Sequence, residues 1–371
     1  MTGGKGFLKG VLMIRNFSID ETVLRYEEDL DDVLRISSSP TSYSVFFSKN
    51  NFTTTFKKIY NDGDIILIDA NVLDLYPISN VDYFSVDAFE KNKSIKTVLK
   101  FVKYLSDSNF NKKNKVIVIG GGITQDIGAF ASSIYKRGVS WVFFPTTLLS
   151  MCDSCIGGKT GINYLNGKNQ LGLFSKPKKV IICYDFLRTL TDKDLKSGLG
   201  EILKLYSLIG YDYLKFYNDC VDNGKVKSAK HYPMLIKRAL NIKKVVIEED
   251  EYETNIRRSL NYGHTLGHAV EVMSGYNIAH GQAVAAGILM VNKLFGFSDN
   301  LYDRLCLDLI DKELLKNLKL SELELLIRKD KKTIGNKAYF VVLDEFGKIS
   351  FAPKEINNEL IFQIKNIVGM L

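Results

Sequence analysis

Four short runs constrain the fold of this chain more than any other feature. DIILIDA (64–70), KVIVIG (115–120), WVFFP (141–145) and KKVIICYD (178–185) are β-branched or aromatic through most of their length, and turn-forming or polar residues bound each one. Helical spacing fills residues 94–105 and 125–135 between them. Strands without polar alternation need cover on both faces, and the intervening helices supply it. The first half therefore reads as an α/β layer built on a parallel sheet.

From about residue 191 the period becomes helical. Leu235, Ala239, Ile242 and Val246 recur at spacings of four, three and four, which puts them on one helix face. Further helices are expected over 192–208, 262–273, 281–295 and 321–328, with AYFVVL (338–343) as the one late strand. We expect two domains: an α/β domain over 1–190, whose first tens of residues carry no assigned role, and a mainly α-helical domain over 191–371. A chain of 371 residues that is 46% hydrophobic buries a sizeable core, which excludes wholesale disorder.

Lys and Arg number 50 against 42 Asp and Glu, a net charge of +8, and the positives are scattered. That balance suits a small anionic substrate and argues against nucleic acid as a partner. Five cysteines make no disulfide framework and favour a reducing compartment. No apolar stretch reaches the roughly 18 residues of a membrane span. The N-terminal MTGGKGFLKGVLMIRNF lacks the apolar run and cleavage site of a secretion signal. A cytoplasmic location with no membrane partner is expected.

Chemistry-bearing residues gather in three places. VIVIGGGITQD is a buried strand running through Gly121 and Gly122 into a helix, a turn that lets backbone N–H groups approach a diphosphate; Gln125 stands where a dinucleotide fingerprint has its third glycine. A plain tight turn reads equally well. Asp69 and Asn71 close an upstream strand, where an acid either contacts a ribose or caps a turn. Three of the four histidines, His264, His268 and His280, fall within NYGHTLGHAVE…AHGQAVAAG, and His264 and His268 share a helix face. They fit either a catalytic zinc site, whose carboxylate must come from elsewhere with Glu201 as candidate, or core and capping roles. Asp153, Lys159, Lys168 and Asn169 lie in a glycine-rich loop suited to an anion or simply to solvent. The lone CDSC pair, Cys152 and Cys155, reads as buried structural thiols.

Taken in order, GGGxTQD, PTTLLxxxDSxxGGKTxxN, GKN, FLRTL, GExxK, RxxLNxGHTxGHAxE and HGxAVAAG make the chain resemble the 3-dehydroquinate synthase family, the sugar phosphate cyclases, from about Asp69 to Lys332. The resemblance implies an NAD-binding α/β domain, a helical domain binding zinc or another divalent metal such as Co2+, and a homodimer. It implies metal ligands Glu201, His264 and His280, and an NAD site with Asp69, Asn71, Glu90, Lys93, Gly121, Gly122, Asp126, Thr146, Thr147, Thr189 and Leu190. Implied substrate contacts are Asp153, Lys159, Lys168, Asn169, Lys204, Lys243, Arg257, Asn261 and His268, with Lys331 or Lys332, and Arg137 lent to the neighbouring subunit. The implied reaction turns 3-deoxy-arabino-heptulosonate 7-phosphate, a phosphorylated heptulose, into 3-dehydroquinate by transient oxidation, β-elimination of phosphate, re-reduction and intramolecular aldol closure. Retention of Arg257 and the late lysine pair favours this substrate. The alternatives are a cyclase acting on sedoheptulose 7-phosphate and a metal-dependent polyol dehydrogenase.

Overall fold

The computed structural model describes residues 14–165, 167–330 and 333–371. The described chain opens with an antiparallel hairpin, β1 (Ile14–Ile19) and β2 (Thr22–Glu27). It then enters a layered α/β unit through β3 (Val33–Ile36), β4 (Tyr43–Phe47), α1 (Phe52–Ile59), β5 (Ile65–Asp69), α2 (Ala70–Leu75) and β6 (Tyr83–Val86). Next come α3 (Ile95–Asp107), β7 (Val116–Gly120), α4 (Gly122–Ile134) and β8 (Trp141–Pro145). A second hairpin, β9 (Lys159–Tyr164) and β10 (Gly167–Phe174), precedes β11 (Lys179–Ile182).

The seven-stranded sheet has the order β3-β4-β11-β8-β7-β5-β6 and is parallel except at the β3–β4 edge. Its four central strands are the four apolar runs, and every residue of β7 and β8 is buried. Helix α4 packs over β5, β7 and β8. The chain leaves β5 for the edge strand β6 and then returns to β7 on the other side of β5. The order of connection reverses between the parallel neighbours β5 and β7, the switch point beyond whose C-terminal ends an open α/β sheet usually has its ligand crevice.

The second half packs α5 (Asp192–Ile209), α6 (Tyr211–Cys220), α7 (Tyr232–Glu249), α8 (His264–Met273) and α9 (His280–Phe295) around one another. A two-residue pair, β12 (Val221–Asp222) and β13 (Lys225–Val226), follows α6. The late strand at 338–343 is not single: it lies in β15 (Lys337–Glu345), flanked by β14 (Thr333–Ile334) and β16 (Lys348–Glu355). β16 pairs in parallel with β1, giving a five-stranded sheet β14-β15-β16-β1-β2. By hydrogen bonding, then, residues 14–27 belong with the C-terminal strands. Their polar-laced, half-buried pattern conceals them in sequence, and Pro353 interrupts the apolar reading of β16. The linker after β2 is pinned to α7: Arg238 pairs with Glu28 at 2.6 Å, Asn241 donates to Asp29 O at 2.6 Å and Lys237 donates to Leu30 O at 2.8 Å. Among the described residues, no helix is long and apolar enough to cross a membrane.

Candidate active site

Three glycines bring the histidines to a carboxylate. A Cβ on Gly200 would lie 2.1 Å from Gly281 O, and one on Gly281 would lie 1.8 Å from Ser197 O. Helices α5 and α9 therefore touch backbone to backbone, which no larger residue permits. That approach sets Glu201 of α5 beside His280, the first residue of α9. Gly263, at φ +76°, turns the chain into α8 and delivers His264 to the same point.

Glu201 Oε1 lies 3.3 Å from His280 Nε2 and 3.5 Å from His264 Nε2. The other ring nitrogens are engaged: His264 Nδ1 is 3.1 Å from Tyr262 O, and His280 Nδ1 is 3.0 Å from Glu271 Oε2. Those acceptors place the proton on Nδ1 and turn each Nε2 lone pair inward. Both Glu201 oxygens are buried without a well-formed hydrogen bond, although Lys204 ion-pairs with one of them. Burial disfavours the His280 imidazolium, but Glu271 and Glu201 outweigh it and raise the pKa to about 10. Burial likewise opposes the Glu201 carboxylate, yet Lys204 and His280 bring its pKa down to about 2. The two carboxylates that hold the imidazolium proton on His280, Glu271 and Glu201, offer the same negative charge to a cation that takes its place. Tetrahedral zinc with bonds of ~2.0–2.1 Å sets neighbouring ligand atoms roughly 3.4 Å apart, and the two measured separations bracket that value. The donor set fits a divalent metal and leaves a position open.

A wall of cations borders this cluster. Lys204 donates to Leu260 O at 2.7 Å. Lys243, on α7, donates to Asp153 O at 2.6 Å and pairs with Asp153 Oδ1 at 3.0 Å. Lys159, opening β9, pairs with Glu253, which also accepts from Asn261 at 3.0 Å. Burial lowers the Lys159 pKa despite that pairing. Arg257 is buried and donates to Gly157 O at 2.9 Å and to Glu251 O. His268 is half exposed, with Nδ1 3.6 Å from Asp330 Oδ2. Lys168 reaches in from β10 to 3.9 Å from Glu271 Oε1. The glycine-rich segment read as a loop is thus the β9–β10 hairpin, because its alternating residues pair across two strands.

The β5–β7 crevice carries the second group. Gly121 caps α4 without a side-chain hydrogen bond, so the N–H groups of the first turn, from Gly122 on, are left to a ligand. A Cβ on Gly121 would sit 3.0 Å from Thr147 Cγ2, which keeps that approach clear only for glycine. Gln125 takes the third-glycine position for a structural reason: it exchanges hydrogen bonds with Ser154 at 2.8 and 2.7 Å. Buried Lys93 donates to Asp126 at 3.0 Å and to Asn169 at 2.6 Å, with Glu90 at 3.8 Å. Asp126 also accepts from Thr160 and Gly161, tying the hairpin to α4. Asn169 is therefore placed with this group rather than with the histidines. Asp69 caps α2 through Asn71 N at 3.1 Å, and burial raises its pKa. Thr146 is buried beyond β8, and Thr189, next to Leu190, lies 3.3 Å from Tyr76 OH. Arg137 lies in the exposed turn after α4, at φ 62°.

Cys152 and Cys155 are buried and free, and burial pushes the Cys155 thiol up to about 12, which fits structural thiols. Lys331 and Lys332 lie outside the described residues. Sequence reasoning missed Glu271, Glu253 and Asp330, which hold His280, Lys159 and His268. Glu271 carried a signal: it follows His264 by seven and His268 by three on one helix, hence on one face.

Two family profiles match the chain: 3-dehydroquinate synthase N-terminal over residues 83–197 and 3-dehydroquinate synthase C-terminal over 198–333. A 3-dehydroquinate synthase of Dictyoglomus turgidum is 37% identical over 296 residues, covering 78% of this chain and 83% of the relative. One of Dictyoglomus thermophilum is 32% identical over 349 residues, covering 90% and 97%. Among solved structures, 2-deoxy-scyllo-inosose synthase complexed with carbaglucose-6-phosphate, NAD+ and Co2+ superposes with a TM-score of 0.78 at 21% identity over 91% of this chain and 99% of that one. The 2-epi-5-epi-valiolone synthase of Streptomyces hygroscopicus, with NAD+ and Zn2+ bound, gives 0.78 at 23% identity with the same coverage. These structures share the fold. The chain belongs to the 3-dehydroquinate synthase family, a family of enzymes.

Proposed function

We propose that the protein converts 3-deoxy-arabino-heptulosonate 7-phosphate to 3-dehydroquinate with release of phosphate, as a carbon–oxygen lyase of the shikimate pathway. One observation carries this reading: Glu201, His264 and His280 converge from three helices beside the lysines and arginine that a doubly anionic substrate needs. The activity is that of the relatives' name. The cofactors, NAD and a divalent cation, are those with which the two solved cyclases were determined.

Glu201, His264 and His280 would hold the cation, and the crevice lined by Gly121, Gly122, Thr146, Thr147 and Asp69 would hold NAD. When bound, the cation polarises a substrate oxygen and the nicotinamide exchanges a hydride reversibly, without net oxidation. The chain's own residues do the rest. Lys159, Lys243 and Arg257 bind the anionic ends and release Glu253, Asp153 and the Gly157 carbonyl as they do so. Lys204, locked to Glu201 and Leu260 O, keeps a fixed positive charge where enolate charge develops. Asn261 orients a substrate hydroxyl, and His268 stands where it can hold or pass a proton. Of the described residues, we assign 29–190 to the NAD lobe and the others to the metal lobe, with the β1–β2 hairpin counted in the latter. A homodimer in which Arg137 serves the neighbouring site and a cytoplasmic location, in keeping with five free cysteines, complete the proposal.

Chelation tests it. Phosphate release should stop when the divalent cation is removed and return when Zn2+ or Co2+ is added back. Undiminished turnover in the metal-free protein would refute the assignment.

A further inference from the structure

Glu271 faces two ways. It extends from α8 with its side chain only 12% exposed. Oε2 lies 3.0 Å from His280 Nδ1. Oε1 lies 3.9 Å from the ammonium of Lys168, which comes from β10 in the other lobe and rests 4.0 Å above the Tyr276 ring. One carboxylate thus touches both a metal-ligand imidazole and a substrate-binding lysine, and it joins the two lobes.

We propose that Glu271 is a positioning residue that fixes the ring orientation of His280 and links it to Lys168, so that the charge at Lys168 sets how strongly the metal site holds its cation. The inference rests on the metal assignment above. Acceptance of the Nδ1 proton by a carboxylate orients the ring and makes Nε2 a better donor to a cation. An ammonium beside the same carboxylate draws off part of that negative charge. Drawing Lys168 away onto a substrate anion returns the full charge to His280, so substrate and cation bind with positive coupling, and the coupling is reciprocal.

The test is the Zn2+ dissociation constant, measured without substrate by competition with a chromophoric chelator. The proteins compared are wild type, E271A, E271Q, K168Q and the double variant E271Q/K168Q. Circular dichroism and thermal melts confirm that each is folded. E271A is expected to bind roughly 10- to 100-fold more weakly. E271Q, whose amide oxygen still accepts from Nδ1 without the charge, should lose less. K168Q should bind a few-fold more tightly than wild type, and that gain should vanish in the double variant. Wild-type affinity in a folded E271A overturns the positioning role. A K168Q effect of equal size with and without Glu271 overturns the link. Failure of the wild type to hold any divalent cation overturns the metal assignment itself, and this inference with it.

Discussion

Gly200 on α5 and Gly281 on α9 leave no room for a methyl group between them: the missing Cβ of Gly200 would sit 2.1 Å from the Gly281 carbonyl oxygen. This contact, not the histidine spacing alone, joins Glu201 to His280. G200A gains about 1 kcal/mol of helix propensity, but it drives α5 from α9 at a place where both partners are backbone. Overpacking of that kind costs roughly 1–3 kcal/mol, and the backbone clash favours the upper end. Chemical denaturation should show a net loss of stability, and the folded fraction should hold cation poorly. Wild-type stability with full cation content would show that the helices separate freely.

H280A removes one member of the proposed metal cluster, whose other members, Glu201 and His264, come from other helices. The variant should keep its circular dichroism spectrum while losing bound metal and turnover. Metal analysis of the purified protein decides: normal content with full activity would take His280 out of the site.

K159A deletes a half-exposed ammonium paired with Glu253. A charge-assisted contact to a substrate anion is worth roughly 1.5–3 kcal/mol, so kcat/KM should fall about 10- to 150-fold, with cation content unchanged. Unaltered steady-state kinetics would mean that Lys159 serves the Glu253 pairing alone.

Asp250 accepts from Thr254 N at 2.9 Å, Asn255 N at 2.7 Å and Arg257 N at 3.0 Å, and so shapes the turn that carries Arg257. Burial opposes its ionisation, but these hydrogen bonds outweigh burial and lower its pKa below 3.8. The ionised form is favoured in the folded state. Its contribution to stability is therefore full above the unfolded value and is lost as pH falls through the lower folded one. D250N should be less stable than wild type near neutrality by roughly 1–3 kcal/mol, with the gap closing in acid. Urea titrations at several pH values would show it, and a gap independent of pH would contradict the assignment.

The five cysteines are buried and free. Thiol reagent should label the native protein slowly and all five positions in denaturant. Rapid native labelling of Cys152 or Cys155 would contradict their reading as structural thiols and point to a redox role for the CDSC pair.

The sequence made the central sheet legible because β5, β7, β8 and β11 are apolar on both faces, a pattern few other structures produce. It concealed β1, β2 and β16, which are half-buried and polar-laced, and whose pairing joins early and late parts of the described residues. The trio Glu201, His264 and His280 was readable as a motif. Its convergence was not, since it depends on the glycine contacts between α5, α8 and α9, and a glycine in a helix looks locally like a defect. Glu253 and Asp330 were hidden for a similar reason: an acid that pairs with a distant lysine or histidine has no periodic signature. Asn169 was readable as part of the GKN motif, but the hydrogen bond that it accepts from Lys93, 76 residues earlier, was not.

The central claim is best tested by supplying 3-deoxy-arabino-heptulosonate 7-phosphate and sedoheptulose 7-phosphate separately, with NAD and Zn2+, while following phosphate, product and NADH together. The account requires phosphate and 3-dehydroquinate in equal amounts from the first sugar, with no sustained rise in NADH. Phosphate release from sedoheptulose 7-phosphate alone, or NADH accumulating in step with substrate consumed, would contradict it.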